Sequence, residues 1–195
     1  MSLPLLPSTM PPSEPTSFPM LADWLPANDV AERPQMILST SRDGAPDART
    51  VLLTEWDDAG LYFHTDSRSR KVADIAANPA VALTFLWPGF TRQLVVLGQA
   101  SVAPEEEQAA AFAARSPYLK ELAWLNTVEF AQLPLDERLE RWAAFEATEV
   151  APETWIGFLV RPTRLTFWEG NRDAAARRTE YVLENGQWAE RYLPG

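Results

Sequence analysis

The sequence predicts a mainly β protein, an antiparallel barrel with peripheral helices. Between residues 35 and 102, short segments rich in Val, Leu, Phe, Tyr and Thr follow one another, separated by Asp-Gly and Pro-Gly turns. Two of them, Val81–Trp87 and Gln93–Val102, are so continuously apolar that a flat sheet would leave them in water, which argues for closure into a barrel. Strand-like segments return after residue 155 and close the chain.

Met1–Met20 carries Pro4, Pro7, Pro11, Pro12, Pro15 and Pro19 among Ser and Thr, and is expected to be a flexible arm, because proline removes backbone donors. Residues 21–195 then form one domain. Leu21–Ala31 is expected to hold short helical turns interrupted at Pro26. Gln35–Ser41 is a first strand, turning through Arg42-Asp43-Gly44 into the next. Arg49–Glu55 and Gly60–Asp66 form a hairpin around Asp57-Asp58-Ala59-Gly60. A short helix follows, with Ser69 as N-cap, Val72, Ile75 and Ala76 as its apolar stripe, and Asn78-Pro79 as its stop. Pro104 opens a helix reaching Arg115, acidic in its first turn, and Leu119–Trp124 continues helically. Leu135–Glu149 is the clearest amphipathic helix, with Leu135, Leu139, Trp142 and Phe145 on one face. Trp155–Val160, Arg164–Glu169, Thr179–Leu183 and Trp188–Leu193 are the closing strands, the last two joined by a turn at Glu184-Asn185-Gly186.

Composition excludes several classes of function. The 195 residues hold 17 Lys and Arg against 27 Asp and Glu, a net charge of −10, which disfavours nucleic acid or an anionic membrane as a partner. The chain has no cysteine and one histidine, His64, so disulfides, thiol catalysis, iron–sulfur clusters and His-rich metal sites fall away. No apolar run approaches the roughly 20 residues of a membrane helix, and the N-terminus has no basic-then-apolar leader pattern, so a cytoplasmic location is expected. Nucleotide-binding glycine loops, a nucleophile elbow and the HExxH zinc pattern are absent. Asp57-Asp58 falls in a turn, and His64 fits a packed strand residue as well as a functional one.

One cluster stands out. Arg70 and Lys71 occupy the first turn of the helix after Ser69, beside free backbone N–H groups and the positive end of the helix dipole, where cations are unfavourable. Together with the Ser69 hydroxyl they compose a site for a phosphate dianion. The same residues also fit a solvated, exposed helix start.

The ordered set PQMILSTSRDGAPDARTVLLT, FHT, SRK, WP…RQ, FAAR…W and W.GF…P…FW.G…R…Y…W…R.LP resembles the pyridoxamine 5′-phosphate oxidase family of FMN-binding split barrels, from about residue 20 to the C-terminus. The resemblance implies a six-stranded antiparallel FMN-binding split β-barrel with peripheral helices, working as a homodimer with two FMN sites at its interface. It assigns Arg49, Val51 and Leu52 to the first flavin strand and His64-Thr65 to the pair beside it, with His in place of the usual Tyr. Ser69, Arg70 and Lys71 match the phosphate-binding SRK, and Gln93 the glutamine that hydrogen-bonds the ring. Trp168 and Arg178 match residues contributed by the second subunit. Val128-Glu129 replaces an expected Gln-Ser pair on the phosphate side.

The implied substrate site is depleted. Positions that grip pyridoxine phosphate in the family hold Thr54, Ala111, Arg115 and Leu119, of which only Arg115 keeps the family residue. The RxHDR segment reads Ala174-Ala175-Ala176-Arg177-Arg178, unless a slip of two positions brings Arg172 into reach. The expectation is therefore an FMN-dependent oxidoreductase acting on a different small molecule. The alternatives are a genuine pyridoxamine phosphate oxidase and a non-catalytic flavin-binding protein.

Overall fold

The computed structural model describes residue 18, residues 20–146 and residues 148–195. Apart from Phe18 and Met20, which rest on the core, the expected Pro-rich arm lies outside the described residues. A four-residue helix α1 (Leu21–Trp24) precedes β1 (Gln35–Arg42), β2 (Ala45–Leu52), β3 (Glu55–Asp57) and β4 (Gly60–Asp66). Helix α2 (Arg70–Ala77) leads to β5 (Ala80–Leu86) and β6 (Arg92–Val102). Helices α3 (Glu105–Ala113), α4 (Pro117–Leu125), α5 (Val128–Ala131) and α6 (Leu135–Ala143) come next, followed by β7 (Trp155–Glu169), β8 (Arg177–Glu184) and β9 (Gln187–Pro194).

All nine strands among the described residues belong to one antiparallel sheet with the path β2-β1-β5-β6-β7-β4-β3, and β8 and β9 form a hairpin on β7. Six long strands, β1, β2, β4, β5, β6 and β7, make the split barrel. The expected closure is corrected in one respect: the hydrogen-bonded path stays open. Its two ends, β2 and β3, are consecutive in the chain, because the strand changes partner at Leu53-Thr54. The Leu53 N–H donates to Pro34 O, on the β1 side, at 2.9 Å, and the Thr54 N–H donates to Tyr62 O on β4, also at 2.9 Å. The single strand expected over Arg49–Glu55 is thus two strands, a long β2 and a short β3.

Alternation sends Met36, Leu38, Val81, Leu83, Phe85, Leu94 and Val96 into one core with Leu61 and Phe63, and α1 supplies Leu21 and Trp24 to it. Trp24 stands edge-on to Phe167 at 5.1 Å and to Trp87 at 5.4 Å. The two strands expected at Trp155–Val160 and Arg164–Glu169 are one strand of 15 residues with a bulge. Leu97 pairs with Arg164 and Gly98 with Pro162, so Thr163 is extra. The added residue flips the parity, which keeps Phe158 and Val160 as well as Leu165 and Phe167 in the core.

Turn chemistry is as the sequence demands. Asp43-Gly44 and Asn185-Gly186 both have positive φ at the two central positions, the primed turn that matches strand twist. Asp57 Oδ1 accepts from the N–H groups of Ala59 and Gly60 at 2.8 and 3.1 Å, so the paired acids do serve a turn.

The amphipathic helix is shorter than expected, stopping at Ala143. Beyond it Thr148 and Val150 are poor helix formers, and Glu149 is drawn off to the buried Lys120 ammonium at 2.5 Å. Leu135 and Leu139 remain 61% and 63% exposed. No helix among the described residues is long and apolar enough to cross a membrane.

Gly60 has φ +151°, and a Cβ there would lie 2.2 Å from Val160 O across the ladder. Gly60→Ala should therefore cost about 2–4 kcal/mol in denaturant unfolding, from backbone strain and overpacking together. Gly186→Ala has open space around it and should cost about 1–2 kcal/mol from its φ alone. Equal losses in the two variants would contradict this packing.

Candidate functional site

β2, β4, the first turn of α2, α4 and the start of β7 border a half-open cavity of about 280 Å³. Thr50, Val51 and Leu52 line it from β2, His64, Thr65 and Asp66 from β4, and Ser69 and Lys71 from the start of α2. Arg115, Leu119, Leu122, Ala123 and Asn126 cover it from the helical segment, with Thr154 and Trp155 beside them. A neighbouring cavity of about 260 Å³, lined by Asp47, Ala48, Arg49, Arg70 and Lys71, shares Lys71 with the first.

Of the residues expected to hold an anion, Arg70 and Lys71 line this second cavity, and Ser69 and Lys71 line the first. Ser69 occupies the N-cap position with extended backbone, yet its side chain caps nothing, and its Oγ sits 3.4 Å from Thr65 Oγ1. The hydroxyl is thus spared for other partners. No acid stands in the first turn of α2. Lys71 Nζ donates to Thr65 Oγ1 at 3.0 Å, and burial first, then the nearby Arg49 charge, lowers its pKa. Arg70 is 82% exposed, with its Nε 3.5 Å from Asp47 Oδ2.

Arg49 does two jobs. Its Nη1 donates to Thr40 Oγ1 at 2.8 Å and to Leu38 O at 3.3 Å, and its Nη2 lies 2.8 Å from Asp47 Oδ2 and 3.6 Å from Asp74 Oδ2. None of the Nη2 contacts is aligned as a hydrogen bond, so a buried guanidinium N–H is left without a proper acceptor beside the basic cavity. Close contact with the Arg49 guanidinium holds the Asp47 carboxyl below its usual range. Asp47 and Asp74, which organise the cluster, carry no signal in sequence, because their partners are brought in by the sheet.

Arg115 lies 4.5 Å over the Trp155 ring, and burial lowers its pKa to about 10. Among the described residues its guanidinium has no carboxylate partner, so it is available to a ligand. Thr54 and Leu119 line the same cavity, whereas Ala111 is buried in α3. The His64 ring lines the cavity too, but its nitrogens face Thr54 and Glu107.

The remaining predicted residues are elsewhere. Gln93 pairs with Trp168, and Trp168 with Arg178, so the three form one rung across β6, β7 and β8. Trp155 lines the cavity at one end of β7 and Trp168 stands 13 residues further on. At about 3.3 Å per residue that is roughly 40 Å of strand. Within one chain the two groups do not meet. Arg172 and Ala174 are exposed in the β7–β8 connection, and Val128-Glu129 opens α5.

Fold and site together define a split-barrel protein with a basic helix start beside a half-open cavity. Residues 27–168 match the family model described as pyridoxamine 5′-phosphate oxidase. The chain is 39% identical over 176 residues to the pyridoxine/pyridoxamine 5′-phosphate oxidase of Streptomyces avermitilis, covering 85% of this chain and 78% of that protein. Against the enzyme of the same name from Thermobifida fusca it is 38% identical over 173 residues, covering 83% and 77%. The chain therefore belongs to the pyridoxamine 5′-phosphate oxidase family.

Two solved structures share the fold. PhzG from Burkholderia lata, in complex with tetrahydrophenazine-1-carboxylic acid, superposes with a TM-score of 0.72 at 24% identity, covering 82% of this chain and 81% of that one. A pyridoxamine 5′-phosphate oxidase-related, FMN-binding protein from Nostoc punctiforme gives 0.67 at 17% identity, covering 83% and 88%.

Lys71→Ala should weaken FMN binding by about 1.5–3 kcal/mol, the usual value of a charge-assisted hydrogen bond. The exposed Arg70 should contribute about 1 kcal/mol or less. Both apoproteins should unfold as the unaltered protein does, while Arg49→Ala should lose about 2–3 kcal/mol of folding stability by leaving Asp74 buried without its cation. Flavin fluorescence titration and thermal unfolding read these outcomes, and unchanged FMN affinity in the Arg70→Ala, Lys71→Ala double variant would remove the anion site.

Proposed function

We propose that the protein is a cytoplasmic, homodimeric, FMN-dependent oxidoreductase whose substrate is bulkier and less charged than pyridoxamine 5′-phosphate. The observation that carries the cofactor assignment is the position of Lys71: it is shared by a basic cavity with a poorly satisfied Arg49 N–H and a neighbouring cavity walled by Val51, Leu52 and Leu122. Such an arrangement suits a molecule with a phosphate at one end and a ring at the other. Arg49, Ser69, Arg70 and Lys71 would hold the phosphate, and Val51, Leu52 and Thr65 would flank the rest. Bound FMN supplies two-electron redox chemistry at its ring.

Two features support the dimer. Gln93, Trp168 and Arg178 can reach a flavin held near Lys71 only from a second chain, given the length of β7 between the two groups. The groove lined by Leu122, Leu125, Phe130, Leu135, Leu139 and Trp142 also leaves an apolar face that a two-fold partner would cover. Light scattering should give about twice the 21.8 kDa chain mass, and a stable monomer at micromolar concentration would count against this assembly.

The substrate assignment follows from Thr54 and Leu119 in the cavity wall, Ala174 and Ala176 in the β7–β8 connection, and Arg115 as the one unpaired cation of the substrate set. Losing two charge-assisted hydrogen bonds of about 1.5–3 kcal/mol each weakens a phosphate ligand by roughly 10³-fold. A pyridoxamine phosphate oxidase is the second reading, favoured by the curated relatives of that name and by Arg115. Saturating pyridoxamine 5′-phosphate under anaerobic conditions should bleach the bound flavin slowly. Rapid bleaching with pyridoxal phosphate as product would establish the second reading.

A further inference from the structure

One cation in the cavity lining stands apart from the phosphate end. The fixed charges of the lining are Asp66, Lys71 and Arg115. Asp66 is paired with Arg68 at 2.7 Å, and Lys71 is shared with the basic cavity. Arg115 has no such neighbour: among the described residues it makes no ion pair or hydrogen bond through its side chain, and burial alone lowers its pKa. Its guanidinium rests instead on the Trp155 indole, 4.5 Å from the ring centroid.

The indole is fixed from several sides. Trp155 opens β7 in register with Asp66 of β4, and its Nε1–H donates to Gln108 O of α3 at 3.1 Å. Phe112 meets it edge-on at 5.3 Å, and His64 lies flat against it, with centroids 4.8 Å and planes 7° apart. The imidazole is held in turn by Thr54 Oγ1, 2.9 Å from its Nδ1, and admitted by Gly157, where a Cβ would come 2.6 Å from its Nε2. A long, flexible side chain is thus laid on a rigid surface, so the entropy of ordering it is lost on folding and not on ligand binding. The indole face takes up the cation's charge but supplies no acceptor atom, which leaves the N–H fork open for a ligand.

The helical wall that Arg115 shares is otherwise neutral. Leu119, Leu122 and Ala123 are apolar, Asn126 offers an amide, and Thr54 adds a hydroxyl from the strand side. One positive charge without a second matches one negative charge. A phosphate dianion here would keep an uncompensated charge in a half-buried site, a cost that a carboxylate avoids. The fork points the same way: two parallel N–H···O bonds satisfy both carboxylate oxygens at once, whereas a phosphate keeps a third oxygen in need of another donor.

We propose that Trp155 holds Arg115 as a single-cation receptor for a carboxylate, and that the substrate is an apolar monocarboxylate and not a phosphate ester. The proposal rests on the oxidoreductase reading for what is done to that ligand, though not for its binding. Arg115 touches the ligand. Trp155 acts through Arg115 and is a positioning residue, and His64, flat against the indole, keeps it in place.

Calorimetric titration with three probes of one shape tests this: 2-naphthoate, 2-naphthyl phosphate and 2-naphthol, at a pH of about 8, where the phosphate is a dianion and the naphthol neutral. FMN-loaded protein should bind naphthoate at least about 10-fold more tightly than either of the others. Arg115→Met should weaken naphthoate by about 10–100-fold and leave naphthol unchanged. Trp155→Leu should lower the ratio of naphthoate to naphthol affinity by about 3–30-fold, and Trp155→Phe, which keeps an aromatic face, should recover most of it. A merely structural role for Trp155 would weaken both probes in parallel.

Absence of naphthoate binding, a naphthoate-to-naphthol ratio unchanged in Arg115→Met, or tighter Arg115-dependent binding of naphthyl phosphate than of naphthoate would overturn the proposal. So would a parallel loss of both probes in Trp155→Leu. The naphthoate and naphthol titrations are repeated on FMN-free protein. Failure of the oxidoreductase reading would show as absence of FMN binding, with the Arg115-dependent preference for naphthoate intact in the protein alone.

Discussion

The buried Asp74 carboxylate is the constraint on which the site depends. It sits on the inner face of α2, accepts from Thr40 Oγ1 at 2.9 Å and faces Arg49 Nη2 at 3.6 Å. Thr40 is on β1 and Arg49 on β2, so one carboxylate fixes the helix against both strands of the first hairpin. A buried charge is tolerable only with such partners. The consequence for function is positional, because the same docking brings Ser69 and Lys71 beside Thr65 in the cavity lining. Arg49 is shared between holding the helix and facing the basic cavity, which would tie stability and the proposed phosphate binding to one guanidinium.

β7 is the second organising element. It pairs with β4, β6 and β8, and its bulge at Thr163 lets one strand serve the barrel core along its whole length. That length is also why the candidate site is divided. The cavity is built at the start of β7, and the Gln93, Trp168 and Arg178 rung at its end.

Much of this was legible in the sequence. Strand positions, turns and the α2 start follow from alternation, Asp-Gly and Asn-Gly dipeptides and the Ser69-Arg70-Lys71 order, all of which are local signals. What local signals could not show is partner exchange: the break of one strand into β2 and β3, and the fusion of two segments into a bulged β7, are set by neighbours distant in sequence. The end of α6 at Ala143 was hidden for the same reason, since Glu149 is claimed by Lys120. Within the site, the residues read from sequence were those with unusual local placement. Asp74 on a helix, Glu107 in an acidic first turn and Trp155 at the head of a strand look ordinary until the fold brings Arg49, His64 and Arg115 to them.

The central claim is that the basic groove at the start of α2 grips a phosphate while the adjoining cavity takes a ring. Comparing FMN with riboflavin, the same molecule without its phosphate, isolates that grip. Two charge-assisted hydrogen bonds of about 1.5 kcal/mol or more each predict that apoprotein binds FMN at least about 100-fold more tightly than riboflavin. Equal affinities, measured by flavin fluorescence quenching at one ionic strength, would show that Arg49, Ser69, Arg70 and Lys71 hold no phosphate.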